Sequence, residues 1–298
     1  MPRSSGRDQR YLSPLRYPGG KGRLAPYLRR LIEAQRPMPL CYAEPFAGGA
    51  GAALTLLAAG VVDDILINDL NPGIAALWRS IFTDSEAFAT RIEAEQPSLD
   101  GWHEQRAIYD DPAGRDDFQL GYATFFLNRC NRSGILTARP IGGLQQDGPW
   151  KIDARFNRVD LAARIRYLGN FRHRVTVSQL DATEFIAVLG DRSDEILAYV
   201  DPPYLTQGDQ LYLDRLTRED HATLASCLLS SPLRWFMTYD CDARITDELY
   251  PGLRCAIFDI KHTAQVQHVG SEYAVYSENL RVPGLGLLPN DLAEWLVV

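Results

Sequence analysis

Five short, mostly apolar runs, Leu40 to Phe46, Ile65 to Ile67, Val175 to Val177, Ile196 to Val200 and Arg234 to Tyr239, each stop at a polar or glycine-bearing turn. Helical patterns follow the early ones, as in Ala75, Leu77, Trp78 and Ile81 after Asn71-Pro72. Parallel strands need such crossovers, and helices on both faces let the strands be apolar throughout rather than alternating. The alternation predicts an α/β doubly wound sheet, interrupted after its second or third strand, with ligand bound outside the carboxyl ends. A closing pair, Cys255 to Ile260 and Glu272 to Leu280, reads as antiparallel strands around a polar loop holding His262, Gln265, Gln267 and His268.

The turns carry the chemistry. The first run enters Glu44-Pro45-Phe46-Ala47-Gly48-Gly49-Ala50-Gly51 before a helix, Ala52 to Ala59, and glycines there let backbone approach a ligand with a helix N-terminus behind it. The turn falls short of a full GxGxxG and by itself fits any nucleotide-like cofactor. The second run ends at Asn68-Asp69, eighteen residues beyond Gly51, where a Rossmann-like fold holds ribose hydroxyls. Asp181 follows the third run and is placed to meet the same cofactor. Upstream of the helical pattern from Leu24 to Ile32, Gly19-Gly20-Lys21 is either a plain helix entry or a presentation of amides and a cation to an anionic group.

Ile196 to Val200 empties into Asp201-Pro202-Pro203-Tyr204. Two prolines cannot continue a ladder, so their carbonyls are left extended and free to accept. The stretch is an ordinary turn after a strand, or a receptor for a planar amine made of a carboxylate, rigid carbonyls and a ring face. Gly208 to Tyr212 then reads as a mobile lip, and Thr217 with Asp220 as a capping box for the next helix.

Residues 84 to 117 are helical and polar, with Trp102 and His103 as structural residues. A net charge of −7 argues against uniform binding of a polyanion, yet residues 128 to 174 hold ten Arg or Lys against three Asp. Asn128-Arg129-Cys130-Asn131-Arg132-Ser133-Gly134 opens an irregular region with Gln145, Gln146, Arg155, Asn157 and Arg158, side chains of the kind that meet phosphates and base edges. A solvated arginine-rich face is the alternative. A hydrophobic share of 46% excludes disordered and fibrous classes. No apolar run approaches a bilayer span, residues 1 to 12 look like a disordered leader without an apolar h-region, and a cytoplasmic location is expected. The five cysteines form no CxxC, so reduced thiols and no metal site are expected.

In this order the residues resemble the Dam-type, class alpha, N6-adenine-specific DNA methyltransferases. Arg16 to Lys21 resembles the N-terminal signature, with Tyr17, Gly20 and Lys21 on the cofactor side. Glu44 to Gly51 resembles the cofactor loop, through Glu44, Phe46, Gly48, Gly49 and Gly51, and Asp69 and Asp181 resemble the acids near ribose and adenine. Asn128-Arg129 with Ser133-Gly134 resembles the start of the recognition hairpin, and Asp201, Pro202, Pro203 and Tyr204 the catalytic tetrad. The resemblance implies a Rossmann-like S-adenosylmethionine-dependent methyltransferase sheet with an inserted target-recognition region. The catalytic domain is expected at 13–83 and 172–282, the insertion at 84–171, and peripheral tails at 1–12 and 283–298.

The implied reaction moves a methyl group from S-adenosyl-L-methionine to adenine N6 in double-stranded DNA, with base flipping. Asp201 and the Pro202 carbonyl accept the two amino hydrogens, Tyr204 stacks on the base, and Arg129, Arg132, Arg139 and Arg155, beside Asn128 and Ser133, contact DNA. A monomer or weak dimer is expected, with a cognate restriction endonuclease as partner where the enzyme serves a restriction-modification system. Ala138 to Phe156 has no clear counterpart in the best-known members, so no target sequence carries over. The same tetrad chemistry also serves RNA adenine and cytosine N4. A nucleotide-dependent oxidoreductase leaves the tetrad and the basic insertion unexplained, and a catalytically silent DNA-binding module leaves the complete set of active-site residues unexplained.

Overall fold

The computed structural model describes residues 12–16, 21–205, 216–262, 268–289 and 293–298. Tyr17, Gly20, the lip at 208–212 and the loop residues Gln265 and Gln267 lie outside them. Strands β1 (Cys41–Glu44), β2 (Asp64–Asn68), β3 (Val175–Ser178), β4 (Ile196–Val200), β5 (Arg234–Asp240), β6 (Cys255–His262), β7 (His268–Tyr276) and β8 (Glu294–Val297) form one sheet in the order β3-β2-β1-β4-β5-β7-β6-β8. The first five are parallel, and β7 inserts antiparallel between β5 and β6. His262 and His268 end strands rather than sit in the loop between them.

The apolar runs serve two interiors at once. On one face Tyr42, Ile65, Ile67, Leu197, Tyr199 and Phe236 pack with α1 (Ala25–Ala34), α2 (Gly51–Ala58) and α3 (Pro72–Thr83). On the other, Ala43, Ala198, Val200, Trp235 and Met237 meet α8 (Ala182–Leu189) and α9 (Arg218–Ser230). Neighbours in sequence point to opposite layers, which is why neither face needs polar residues. Each Leu, Ile, Val, Phe or Met among them contributes about 1.5–3 kcal/mol when fully buried.

Local signals set the helix starts. Asn71 caps α3 by accepting from Gly73 N and Ile74 N at 3.0 and 3.2 Å, with Pro72 in the first turn. Thr217 and Asp220 form the reciprocal capping box of α9. Between α3 and β3 the chain inserts α4 (Ser85–Ala94), α5 (Leu99–Asp110), α6 (Asp117–Cys130) and α7 (Arg158–Gly169). Helix α6 lies tightly on α3, because a Cβ at Gly121 would stand 2.8 Å from the Ala76 carbonyl oxygen. At the N-terminal side Leu12 is buried in the core, so the expected leader ends before it. The expected C-terminal tail supplies β8, whose Trp295 ring sits 5.5 Å from that of Tyr276. No helix among the described residues is long and apolar enough to cross a membrane.

Candidate active site

Strand order reverses between β1 and β4, which are parallel neighbours with Ala43 opposite Ala198. That switch point is where a doubly wound sheet opens a crevice beyond its carboxyl ends. It brings Glu44 to Gly51 and Asp201 to Tyr204 to one edge, although about 150 residues separate them in sequence.

Asp201 leaves fully buried β4 with its side chain 24% exposed, and Pro203 and Tyr204 beside it are likewise half-buried. Its Oδ1 accepts from Thr238 Oγ1 at 2.8 Å, and Thr238 in turn accepts from the Tyr199 hydroxyl at 2.6 Å. Lys21 Nζ stands 3.3 Å from the same oxygen. Oδ2 has no hydrogen-bond partner among the described residues. Burial pushes the Asp201 carboxyl up to about 6, with Lys21 and the Thr238 hydroxyl restraining the rise and Glu272 adding to it.

Lys21 is not turned towards an open crevice. It is 6% exposed, and besides Asp201 its ammonium donates to both oxygens of Glu272, at 2.9 and 2.8 Å, and to the Tyr204 hydroxyl at 3.0 Å. Burial opposes its charge, but the carboxylates of Asp201 and Glu272 outweigh that and hold it well above the ordinary lysine range. The Tyr204 hydroxyl also donates to Glu272 Oε1, so the tyrosine is tethered through its far end. Directly after the tetrad, Leu205 N donates to Asp240 Oδ1 at 3.1 Å.

The glycine loop is braced from the next strand. Asp69 accepts from Gly48 N at 2.8 Å and from Asn71 N at 3.0 Å, and the Trp78 indole donates to Gly48 O at 2.9 Å. Ala50 takes the left-handed conformation (φ 46°) at the N-cap of α2, where no side chain caps the helix. The amides of Gly51 and Ala52 in that first turn fit an anionic group of a cofactor, while that of Ala53 is taken by Glu44. Glu44, 4% exposed, accepts from the Tyr42 hydroxyl at 3.0 Å and from Ala53 N at 3.1 Å. Burial pushes its carboxyl up to about 8. Asp181 caps α8 by accepting from Thr183 N at 2.8 Å.

The insertion divides into braces and exposed cations. Asn128 is 1% exposed, and its amide accepts from Arg16 N at 2.8 Å and donates to Arg16 O and Gly134 O at 3.0 and 2.8 Å. Gly134 has φ +77° and presses against Arg16 O, and Ser133 precedes it at φ 56°. Arg129 donates to the carbonyls of Arg155 and Pro14, and burial with the nearby Arg16 and Arg164 lowers it to about 10. Gln146 ties Ile141 O, Gly143 O and Ile152 N, while Asn157 caps α7. Arg158 donates to the carbonyls of Glu93 and Glu95, and Arg166 pairs with Glu86 and Glu93. These groups were expected outward but hold irregular backbone or neutralise neighbours. Arg132, Arg139, Lys151 and Arg155 remain exposed, the last 6.0 Å from the ring of Trp150.

Three contributors escaped sequence reasoning. Thr238 and Glu272 come from β5 and β7, and an acid inside an apolar alternating strand was the one available signal for Glu272. Asn68 joins three strand ends, donating to Pro45 O and Leu180 O and accepting from Ser178 Oγ and Leu180 N.

A family model for D12 class N6 adenine-specific DNA methyltransferase matches residues 17–268. Among solved structures, the rRNA methyltransferase aviRa from Streptomyces viridochromogenes is similar at 14% identity, with 93% of this chain and 94% of that one covered and a TM-score of 0.40. A Legionella pneumophila str. Philadelphia 1 protein of the DUF519 family is similar at 12% identity over 88% and 84% of the two chains, with a TM-score of 0.34. No curated protein matches significantly.

Proposed function

We propose, for a chain that belongs to the D12 class N6 adenine-specific DNA methyltransferase family, that it methylates N6 of an adenine turned out of double-stranded DNA. Membership carries the coarser part, an enzyme that methylates adenine with S-adenosylmethionine. The observation that supports the finer reading is Asp201, a partly exposed side chain with Oδ1 engaged by Thr238 and Oδ2 without a partner among the described residues, at the end of a buried strand and beside a tethered tyrosine.

An adenine amino nitrogen is a poor nucleophile because its lone pair is delocalised into the ring. With its two hydrogens accepted by Asp201 Oδ2 and the Pro202 carbonyl, the nitrogen pyramidalises and its lone pair turns outward. As the nitrogen becomes cationic, the carboxylates of Asp201 and Glu272 favour the new charge. Tyr204 gives the extruded base a stacking face, since its hydroxyl is held by Lys21 and Glu272. Extrusion costs a few kcal/mol, which stacking and phosphate contacts from Arg132, Arg139 and Arg155 offset. Residues 84–171 serve as the target-recognition region in this reading.

The Gly48–Gly51 loop with Asp69 and Asp181 would hold the cofactor, which would supply an electrophilic methyl on a sulfonium. The test is liquid-chromatography mass spectrometry of nucleosides after incubation with S-adenosylmethionine and either DNA or RNA. N6-methyladenine in DNA with the wild type, and none with Asp201→Ala, is expected. Methylated RNA alone, or N4-methylcytosine, would displace the reading.

A further inference from the structure

We propose that Glu272 is a positioning residue of this site, drawing the Lys21 ammonium off Asp201 so that the Asp201 carboxylate stays available to an amine while the Tyr204 ring is pinned. The inference rests on the reading above. Glu272 lies past residue 268, where the family match ends.

Glu272 is 1% exposed on β7, opposite Asp240 of β5. A buried carboxylate survives only with partners, and this one has the ammonium on both oxygens and the Tyr204 hydroxyl on one. Lys21 is shared unequally: 2.8 and 2.9 Å to Glu272 against 3.3 Å to Asp201 Oδ1. An ammonium that paired fully with Asp201 would take the place of the target amine, since both are N–H donors seeking the same carboxylate. Without Glu272, Lys21 has only Asp201 as an anionic partner among the described residues and closes on it. The same loss frees the Tyr204 hydroxyl and lets its ring turn.

A merely structural role predicts lower stability and nothing more. The positioning role predicts a specific electrostatic change at Asp201, which is faced by Lys21, by Glu272 from β7, by Tyr239 from β5, by Tyr199 from β4, by Tyr204, and by Tyr42 and Glu44 from β1. Lys21 lowers the Asp201 titration midpoint more than Glu272 raises it. Glu272→Gln leaves the lysine alone with Asp201, so the midpoint falls. Adding Lys21→Met removes both influences, so the midpoint rises above that of the wild type.

The experiment is a 13C carboxyl NMR titration of Asp201 in the full chain, assigned by difference against Asp201→Asn, with single-turnover methyl transfer and cofactor affinity measured on the same proteins. Expected for Glu272→Gln are a lowered midpoint, a methyl-transfer rate reduced by about 10²-fold as for misplaced reacting groups, and an unchanged Kd for S-adenosylmethionine. An unmoved midpoint or an unchanged rate overturns the proposal. Should Glu272→Gln fail to fold, the double variant, whose buried pair is neutral, carries the titration: a rise supports the proposal, and a fall or no change overturns it. A wild type that makes no methyladenine refutes the proposed function, and the titration still decides whether Glu272 holds Lys21 away from Asp201.

Discussion

Thr238→Val offers the sharpest test of Asp201 as the working acceptor, because it removes one hydrogen bond and keeps the shape. The hydroxyl donates to Asp201 Oδ1 at 2.8 Å and so favours the ionised carboxylate, whose midpoint burial has pushed up to about 6. A hydrogen bond to a charged group contributes about 1.5 kcal/mol, roughly one pH unit. The acceptor must be ionised, so activity is lost as pH falls through the midpoint, and the variant loses it about one unit higher. At pH 6 the ionised fraction drops from about one half to about one tenth, while at pH 8 it stays above about nine tenths. The expected profile of kcat/KM against pH is therefore about fivefold lower at pH 6 and nearly unchanged at pH 8. The substitution also strands the buried Tyr199 hydroxyl, which costs about 1–3 kcal/mol of stability, and thermal unfolding records that separately. A loss of equal size at every pH, or an acid limb that stays in place, would refute the reasoning.

Gly121→Ala drives a methyl group to 2.8 Å from the Ala76 carbonyl oxygen between α6 and α3, and a loss of about 1–3 kcal/mol in urea unfolding is expected. Burial pushes the Glu44 carboxyl up to about 8, and a cationic ligand favours its ionised form. Affinity for S-adenosylmethionine is therefore expected to rise with pH towards 8 in the wild type and to flatten in Glu44→Gln, as calorimetry would record. Replacing exposed Arg139 and Arg155 by Ala is expected to reduce the salt slope of DNA binding by about 2, at about 0.9 per phosphate contact. Fluorescence anisotropy across a salt series checks this, and an unchanged slope places the phosphate contacts elsewhere.

What sequence revealed and what it hid follow from where each group finds its partner. Strands β1 to β5 were legible because a parallel sheet covered on both faces reads as apolar runs, and Ile196 to Val200 matches β4 at both ends. Asn71 and the Thr217–Asp220 box were legible because a cap acts within three residues. The pairing of Lys21 with Glu272 is not legible in sequence, because the two are 251 residues apart and meet only through β7 inserting beside β5. By residue type, Asn128, Gln146 and Asn157 suit contacts with nucleic acid. Irregular backbone leaves its own amides and carbonyls to be satisfied, and these side chains do that. Composition identifies a polar loop without telling which of its amides build it and which face outward.

The carboxylates at the sheet edge differ most in who can reach them. Glu44, Asp240 and Glu272 are 4%, 6% and 1% exposed, and each has at least one donor from the protein, whether Ala53 N, Leu205 N or Lys21. Burying acids in this way is costly unless donors accompany them, and the fold supplies those donors from the loops it must fix in any case. Asp201 differs from these three, with a side chain 24% exposed and Oδ2 lacking a partner among the described residues. Of the buried neighbours, Glu272 acts on the Asp201 carboxylate directly, with Lys21 and Thr238 opposing its effect. Under the proposed function, such an oxygen beside a tyrosine held by its hydroxyl suits a flat ligand that brings N–H donors and gains positive charge, which is what an adenine amino group does as it takes a methyl.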